Sequence, residues 1–163
     1  MVTNIVAIAA LFAALPPKAR LMGIDLGTKT IGLALSDIER SIASPLETIK
    51  RRKFGEDARI MIALANKHEI AAYVIGLPLN MDGSEGPRAQ ATRAFIRSMA
   101  PLDARRFVLW DERLSTAAVT RELIAQDASR AKRAEVVDRM AAAYILQGAL
   151  DRMAAIGREK QQG

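Results

Sequence analysis

The stretch that decides the fold of this chain is residues 21–37, LMGIDLGTKTIGLALSD. In its first half, the carboxylate of Asp25 interrupts a run of apolar and small residues that is typical of a buried strand. A glycine-containing turn follows at residues 27–30, and apolar residues then alternate with small ones, as expected of a returning strand. We therefore predict an antiparallel hairpin with an acid in its first strand. Because burying an ionised carboxylate costs several kcal/mol unless a cation compensates for it, Asp25 requires a partner.

Length and composition limit what this hairpin can belong to. The chain has 163 residues, half of them hydrophobic, which suits one domain with its own core. It has no cysteine, so any metal must be held by oxygen atoms or by the single histidine, His68. A lone histidine at the end of a predicted helix is usually a charge partner, and we assign it no role. The net charge of +6 suits an anionic partner such as nucleic acid, although solvated Lys and Arg side chains explain it equally well.

The N-terminal residues 4–15 are apolar and predict a short helix packed on the domain surface, since Ile5, Ile8 and Phe12 fall at helical spacing. A secretory signal is not expected, because the basic residues follow the apolar run instead of preceding it. The run is also shorter than the roughly 20 residues that cross a bilayer.

The rest of the chain alternates strand and helix patterns. Strands are expected at residues 41–50, 71–77 and 107–110, and helices at residues 57–67, 88–100, from Ser115 or Thr116 to about Gln126, and 133–153. This order predicts an α/β fold whose mixed sheet starts with the antiparallel hairpin, continues with parallel strands and is flanked by helices. We expect Ile60 and Leu64 to turn inward from the first of these helices, with Met61 as a further candidate. For the arginines of the next helix, Arg88, Arg93 and Arg97, a solvated face is favoured over phosphate binding, because they do not share one stripe.

Further acids stand out beside Asp25. Asp138 lies on the stripe of the last helix that should pack on the sheet, which it shares with Ala141, Ala142, Ile145 and Ala149. Asp111 and Glu112 end an apolar strand, where open α/β sheets carry functional groups. Because adjacent residues leave a strand on opposite sides, only one of this pair should face the site.

Each acid alone is also explained by an ion pair with one of the arginines. Carboxylates clustered together instead repel one another and require a divalent cation. With oxygen ligands only, that cation should be Mg²⁺ or Mn²⁺, and such a site suits phosphoryl transfer.

Four segments resemble, in order and spacing, the motifs of the YqgF family of RNase H-like nucleases, also called RuvX. They are GIDLGTKTIGLALSD, VIGLPLNMDGSEGPRA, LWDERLST and SRAKRAEVVDRMAAAYILQG. The resemblance implies an RNase H-like fold and a cytoplasmic bacterial hydrolase, a metal-dependent nuclease that processes the 5′ end of pre-16S rRNA in ribosome biogenesis. Holliday junction resolution on DNA is the alternative it implies. Neither reading involves a membrane.

The resemblance also assigns residues. Asp25 matches the acid of the family's first strand, Glu112 the acid of its DER motif, and Asp138 the acid on its last helix, so these three are expected to be catalytic and to bind the metal. The participation of Asp111 stays open. Nucleic-acid contacts are expected from the hairpin turn, the DER motif and the start of the last helix, at Thr28, Lys29, Arg113, Arg130, Lys132 and Arg133.

We accordingly divide the chain into an N-terminal helical extension (residues 1–17), an RNase H-like nuclease domain (18–156) and a polar tail (157–163).

Other classes of protein fit this sequence less well. GTKT lacks the glycine that a P-loop places directly before its lysine, and the dinucleotide pattern of glycines is missing. Actin-like kinases have a phosphate loop similar to DLGTKTIG, but they use two such domains and this chain has room for one. A ribosome-assembly protein that binds nucleic acid without cutting it stays open, although it would not need all three acids. RNA versus DNA, endonuclease versus exonuclease and oligomeric state stay open as well.

Overall fold

A computed structural model of the chain describes residues 4–114 and 130–162, with side chains in the second segment described from residue 136. Its elements in chain order are α1 (Ile8–Ala14), β1 (Arg20–Leu26), β2 (Thr30–Ser36), β3 (Ala43–Lys50), α2 (Phe54–Lys67), β4 (Ile70–Leu77), α3 (Pro87–Met99), β5 (Arg106–Asp111), a 3₁₀ turn (Glu112–Leu114) and α4 (Arg130–Gln162). The helix expected to start at Ser115 or Thr116 lies outside the described residues.

The strands form one mixed sheet in the order β3-β2-β1-β4-β5. The pairs β1–β2 and β2–β3 are antiparallel, whereas β1–β4 and β4–β5 are parallel. The hairpin is closed by a 2.9 Å hydrogen bond from the Gly27 N–H to the Thr30 carbonyl. The predicted mixed sheet with an antiparallel hairpin at its start is therefore confirmed.

Helices cover both faces of the sheet, and side chains of β1 alternate between them. Met22 and Ile24 belong to a core cluster with residues of α2 and α3, such as Met61 and Phe95. Leu21 belongs to a second cluster, with residues of α1 and α4. The period of two along a strand divides the domain into two cores, one on each face.

Two helices differ from their predicted form. In α2, Ile60 is 39% exposed, and the buried stripe is formed by Ala58, Met61 and Ala65. The prediction for Ile60 is wrong because the i, i+3, i+4 pattern that faces the sheet is centred on Met61. Helix α4 continues beyond Met153 to Gln162, so residues 157–162 are helical. The buried side chain of Ile156 anchors this extension of the helix. The division into extension, domain and tail stays a prediction.

The N-terminal segment is only partly helical. Ile5 forms a parallel bridge with Phe107, and the Val6 N–H donates to the Phe107 carbonyl at 2.9 Å. Residues 4–7 thus cover the edge of β5, whose backbone groups would otherwise be unpaired, and α1 starts only at Ile8. None of the described helices is long and apolar enough to span a membrane.

Candidate active site

Asp25 lies near the carboxyl end of β1, and each of the two neighbouring strands, β2 and β4, has a glycine beside it. It is paired with Gly32 of β2, and the register that places Ile24 beside Ile75 of β4 brings Gly76 alongside Asp25. Cross-strand neighbours share one face of a sheet, and here it is the face that α4 covers. Asp25 is 5% exposed, so its carboxylate is enclosed and not mobile in solvent.

Gly32 brings α4 against the sheet. A Cβ at this position would lie 2.0 Å from the Asp138 carbonyl oxygen and 3.1 Å from the Arg139 backbone nitrogen. Only a residue without a side chain permits so close an approach of helix and strand. Asp138 is consequently positioned at the hairpin, where its carboxylate accepts a hydrogen bond from the Thr30 hydroxyl.

Gly76 makes room for Glu112 in the same way. A Cβ at this glycine would lie 2.8 Å from the Glu112 Oε1 atom and 3.0 Å from its Cγ atom. The carboxylate of Glu112 therefore rests against β4, on the face from which Asp25 projects. The two glycines beside Asp25 thus each make room for one of the other two acids, Gly32 for Asp138 and Gly76 for Glu112.

Asp111 has a different environment. Its carboxylate forms an ion pair with Arg113, at 2.8 Å between Oδ2 and Nη2, and accepts the Arg113 backbone N–H at 2.9 Å. Hydrogen bonds from the Arg113 side chain are the main reason that the pKa of Asp111 is lowered. The Arg113 guanidinium also donates to the Met81 carbonyl. Of the two adjacent acids, the one that approaches Gly76 is Glu112.

The donor chemistry of this site suits Mg²⁺ or Mn²⁺, since the three acids offer only carboxylate oxygens. As the side chains stand, no three Asp, Glu or His residues in the part of the chain that the structure describes are grouped closely enough to hold a metal ion. Binding a cation therefore requires the carboxylates to move closer together.

The expected nucleic-acid contacts come from three segments, of which the DER motif contributes Arg113, paired with Asp111. Thr28 and Lys29 are exposed at the tip of the hairpin, beyond the end of β1. The side chains of Arg130, Lys132 and Arg133, in the first turns of α4, lie outside the description, so their role stays a prediction.

Sequence reasoning missed two arginines at the end of β1. Arg88 was expected on a solvated face, but its Nη2 donates to the Leu26 carbonyl at 3.2 Å. Arg51, at the end of β3, donates from Nη1 to the Gly27 carbonyl at 2.7 Å. These contacts join residues 62 and 24 positions apart, so no local pattern could indicate them.

Comparisons with known proteins identify the family and the fold of the chain. Residues 19–152 match the family described as "RuvX: Holliday junction resolvase". A protein of Beijerinckia indica named "Putative pre-16S rRNA nuclease" is 67% identical over 94% of this chain and 93% of its own length. One of Methylocella silvestris with the same name is 67% identical over 96% of this chain and 97% of its own.

Among solved structures, Thermus thermophilus RuvC matches with a TM-score of 0.53 at 15% identity, covering 83% of this chain and 97% of that one. The same protein in complex with Holliday junction substrate matches with a TM-score of 0.52 at 14% identity. At this identity the likeness establishes the fold, which is that of RNase H-like nucleases. The chain therefore belongs to the RuvX family, also called YqgF, and has the RNase H-like fold.

Proposed function

We propose that this protein is a nuclease that hydrolyses phosphodiester bonds with divalent cations, Mg²⁺ or Mn²⁺, held by Asp25, Glu112 and Asp138. The observation that carries the proposal is the pair of glycines beside Asp25, which admit Asp138 on one side and Glu112 on the other. Three acids from a strand, a 3₁₀ turn and a helix are thereby brought to one face at one end of the sheet. An arrangement that only neutralised surface arginines would not need this close approach.

The three acids are positioned to different degrees. Asp25 is fixed by strand pairing on both sides of β1, and Asp138 is oriented by the Thr30 hydroxyl. Glu112 lies on a short 3₁₀ turn, so it has the most freedom to adjust to a ligand. A divalent cation bound here would activate a water molecule and stabilise the leaving oxygen of the phosphodiester.

We assign substrate binding to the basic residues around the site. Lys29 and Thr28 extend from the hairpin beyond Asp25, where a polynucleotide backbone can reach them. The Arg113 guanidinium is already paired with Asp111, so it keeps less positive charge for a phosphate than Lys29 does. Few aromatic residues are available for base stacking, 4% of the chain, which favours backbone contacts over recognition of bases.

The substrate we propose is precursor 16S rRNA, because two relatives that are 67% identical over nearly their full length are named "Putative pre-16S rRNA nuclease". The cut at the 5′ end and the action in the bacterial cytoplasm are what the family resemblance implies, and we include them in the proposal. The second candidate is a four-way DNA junction, which the description of the matching family favours.

One experiment separates these substrates. The purified protein is incubated with Mn²⁺ and matched panels of precursor rRNA, single-stranded RNA and four-way DNA junctions. We expect cleavage at the 5′ end of the precursor that stops when the metal is chelated. Cleavage of the junction alone would assign the DNA role, whereas binding without cleavage of any substrate would contradict the nuclease proposal and leave an assembly protein.

A further inference from the structure

A cavity of about 250 Å³ opens at the end of β1, on the side of the sheet where α3 lies. Its lining includes Leu26, Thr28, Arg51, Pro87, Arg88 and Thr92. Leu26 directly follows Asp25 in the chain, so the two side chains leave opposite faces of the sheet. The cavity and the acidic site are thus separated by little more than the thickness of one strand.

Two arginines meet at this cavity. Arg51 and Arg88 donate to the consecutive carbonyls of Gly27 and Leu26, at 2.7 and 3.2 Å. A guanidinium has five N–H donors, so each arginine retains most of its donors after this contact. Among the residues that the structure describes, no carboxylate forms an ion pair with Arg88.

Arg51 lies near a buried acid, Asp57, but the two side chains are too far apart for a hydrogen bond. Asp57 is 1% exposed, and its Oδ1 accepts the Arg52 N–H at 3.0 Å. Its Oδ2 lies 4.0 Å from the Arg51 Nε atom, and it has no hydrogen-bond partner among the described residues. Two guanidinium groups therefore line the cavity, and the carboxylate of Asp57 lies near only one of them, that of Arg51.

This excess of positive charge would attract an anion. Planar guanidinium groups bind phosphate through paired N–H donors, and two of them converging on one cavity favour such a ligand. The first turn of α3, which begins at Pro87 beside the cavity, adds the positive end of a helix dipole.

We propose that this cavity binds a phosphate group of the nucleic-acid strand that the carboxylates cut, one or two nucleotides from the scissile bond. The inference rests on the proposed function, because it assigns the cavity to the same substrate. A strand that crosses the end of β1 would present the scissile phosphate to Asp25 on one face and a neighbouring phosphate to Arg51 and Arg88 on the other. The arginines would set which bond enters the acidic site.

The test compares two double variants with the same change of charge. R51Q/R88Q removes the cavity arginines, and R59Q/R97Q removes two exposed arginines of α2 and α3 that do not line the cavity. Affinity for a single-stranded RNA and for a four-way DNA junction is measured in EDTA over a range of salt concentrations. Each phosphate contact contributes about 0.7 to 0.9 to the slope of log affinity against log salt. We expect R51Q/R88Q to lower the slope by about one such contact and the control to leave it unchanged.

Equal slopes for the two double variants would overturn the proposal. Thermal melts check that both variants fold, and R88Q alone replaces the double variant if it does not, because the Arg88 side chain is exposed. A junction strand with one neutral methylphosphonate, moved along the sequence, should weaken wild-type binding at one position near the cut and leave R51Q/R88Q unaffected there. Weakening at no position would also contradict the inference.

Inorganic phosphate distinguishes the two sources of this chemistry. Arginine side-chain signals are followed by NMR while phosphate, and separately the RNA, is added to the wild type. Shifts of Arg51 and Arg88 with the RNA support the proposal, whereas shifts with free phosphate only would assign the cavity to a small anion instead. If R51Q/R88Q lowers the salt slope as expected but the wild-type protein cuts no substrate with Mn²⁺, the nuclease proposal fails while the phosphate contact stands.

Discussion

The two faces of the sheet are packed in different ways. On the face covered by α4, glycines of the strands allow the helix to come very close, with the Asp138 carbonyl 2.0 Å from where a Gly32 Cβ would be. On the face covered by α2 and α3, large buried side chains such as Met61 and Ile96 fill the space between helices and strands. There, Phe54 and Phe95 also meet edge to face, with ring centroids 5.6 Å apart.

The difference assigns separate roles to the two faces. Where no side chain separates helix from strand, the position of the backbone decides where an acid lies, so the α4 face controls the geometry of the site. Where thick side chains interlock, the buried apolar area supplies stability. Substitutions of the strand glycines on the α4 face should therefore change cleavage, whereas those in the core under α2 and α3 should change stability and leave cleavage per folded molecule unaltered.

The largest effect is expected from Asp25→Asn. The substitution keeps the shape of the side chain but removes a charge that holds the cation, so cleavage with Mn²⁺ should fall at least about 100-fold, or ~2.7 kcal/mol of transition-state stabilisation. The melting temperature without divalent ions should be kept or raised, because repulsion among the acids is reduced. A clearly lowered melting temperature with unchanged cleavage would show that Asp25 is instead the structural partner of an arginine.

Gly32→Ala, on the α4 face, should lower both stability and cleavage. The new Cβ would meet backbone atoms of α4, which cannot rotate away, so the helix must shift and carry Asp138 with it. We expect a loss of stability above the ~1 to 3 kcal/mol typical of overpacking, together with strongly reduced cleavage. Gly55→Ala is the matched control, since a Cβ at Gly55 meets no atom within 4 Å. Equal behaviour of the two variants in denaturant melts would argue against the close approach.

Met61→Ala addresses the other face. Met61 lies on the inner side of α2 and is completely buried. Removing its side chain should lower the free energy of unfolding by about 2 to 5 kcal/mol. Cleavage per folded molecule, measured well below the melting temperature, should stay at the wild-type level. A specific loss of activity would mean that the two faces are coupled.

Thr30→Val removes only the hydroxyl that orients Asp138. Hydrogen bonds to charged groups contribute about 1.5 to 3 kcal/mol, so we expect a loss of stability in that range or below it. A shift of the Mn²⁺ concentration needed for half-maximal cleavage should accompany it. If the concentration does not change, Thr30 does not position Asp138 for the metal.

Asp111→Asn should have the smallest effect. Exposed ion pairs contribute about 0 to 1 kcal/mol, and cleavage should be unchanged because Asp111 is paired with Arg113. Since the pKa of Asp111 is lowered in the folded state, its stabilising contribution exists above the ordinary carboxyl pKa and disappears as the pH falls through the lowered value. Unfolding curves of wild type and variant should therefore converge at low pH. A large loss of cleavage would instead place Asp111 in the site.

Local signals explain why much of the fold was predictable. The hairpin around Asp25 follows from a glycine turn between alternating residues, and the inward face of α4 follows from helical spacing, which Ala142, Ile145 and Ala149 confirm by being fully buried. The role of Glu112 comes only from the family resemblance, because nothing in a strand end distinguishes it from Asp111.

Contacts between distant segments explain the rest. The pairing of residues 4–7 with β5 depends on which strand lies at the edge of the sheet, and the sequence does not reveal this. The pairing makes the N-terminal helix start later than its spacing predicted, at Ile8. Arg88 became part of a cavity through a carbonyl 62 positions away. Gly32 and Gly76 are ordinary strand glycines in the sequence, and only the packing of Asp138 and Glu112 on them gives them a role.

The most direct test of the central claim is a Mn²⁺ titration followed by electron paramagnetic resonance, on wild type and on the variants Asp25→Asn, Glu112→Gln and Asp138→Asn, with Asp111→Asn as the matched control. The signal of free Mn²⁺ reports how much ion the protein binds, without any substrate or cleavage. We predict that wild type and Asp111→Asn bind Mn²⁺ alike and that each of the other three variants binds it at least about tenfold more weakly, the difference that ~1.4 kcal/mol makes. Undiminished binding in those three variants would contradict the account.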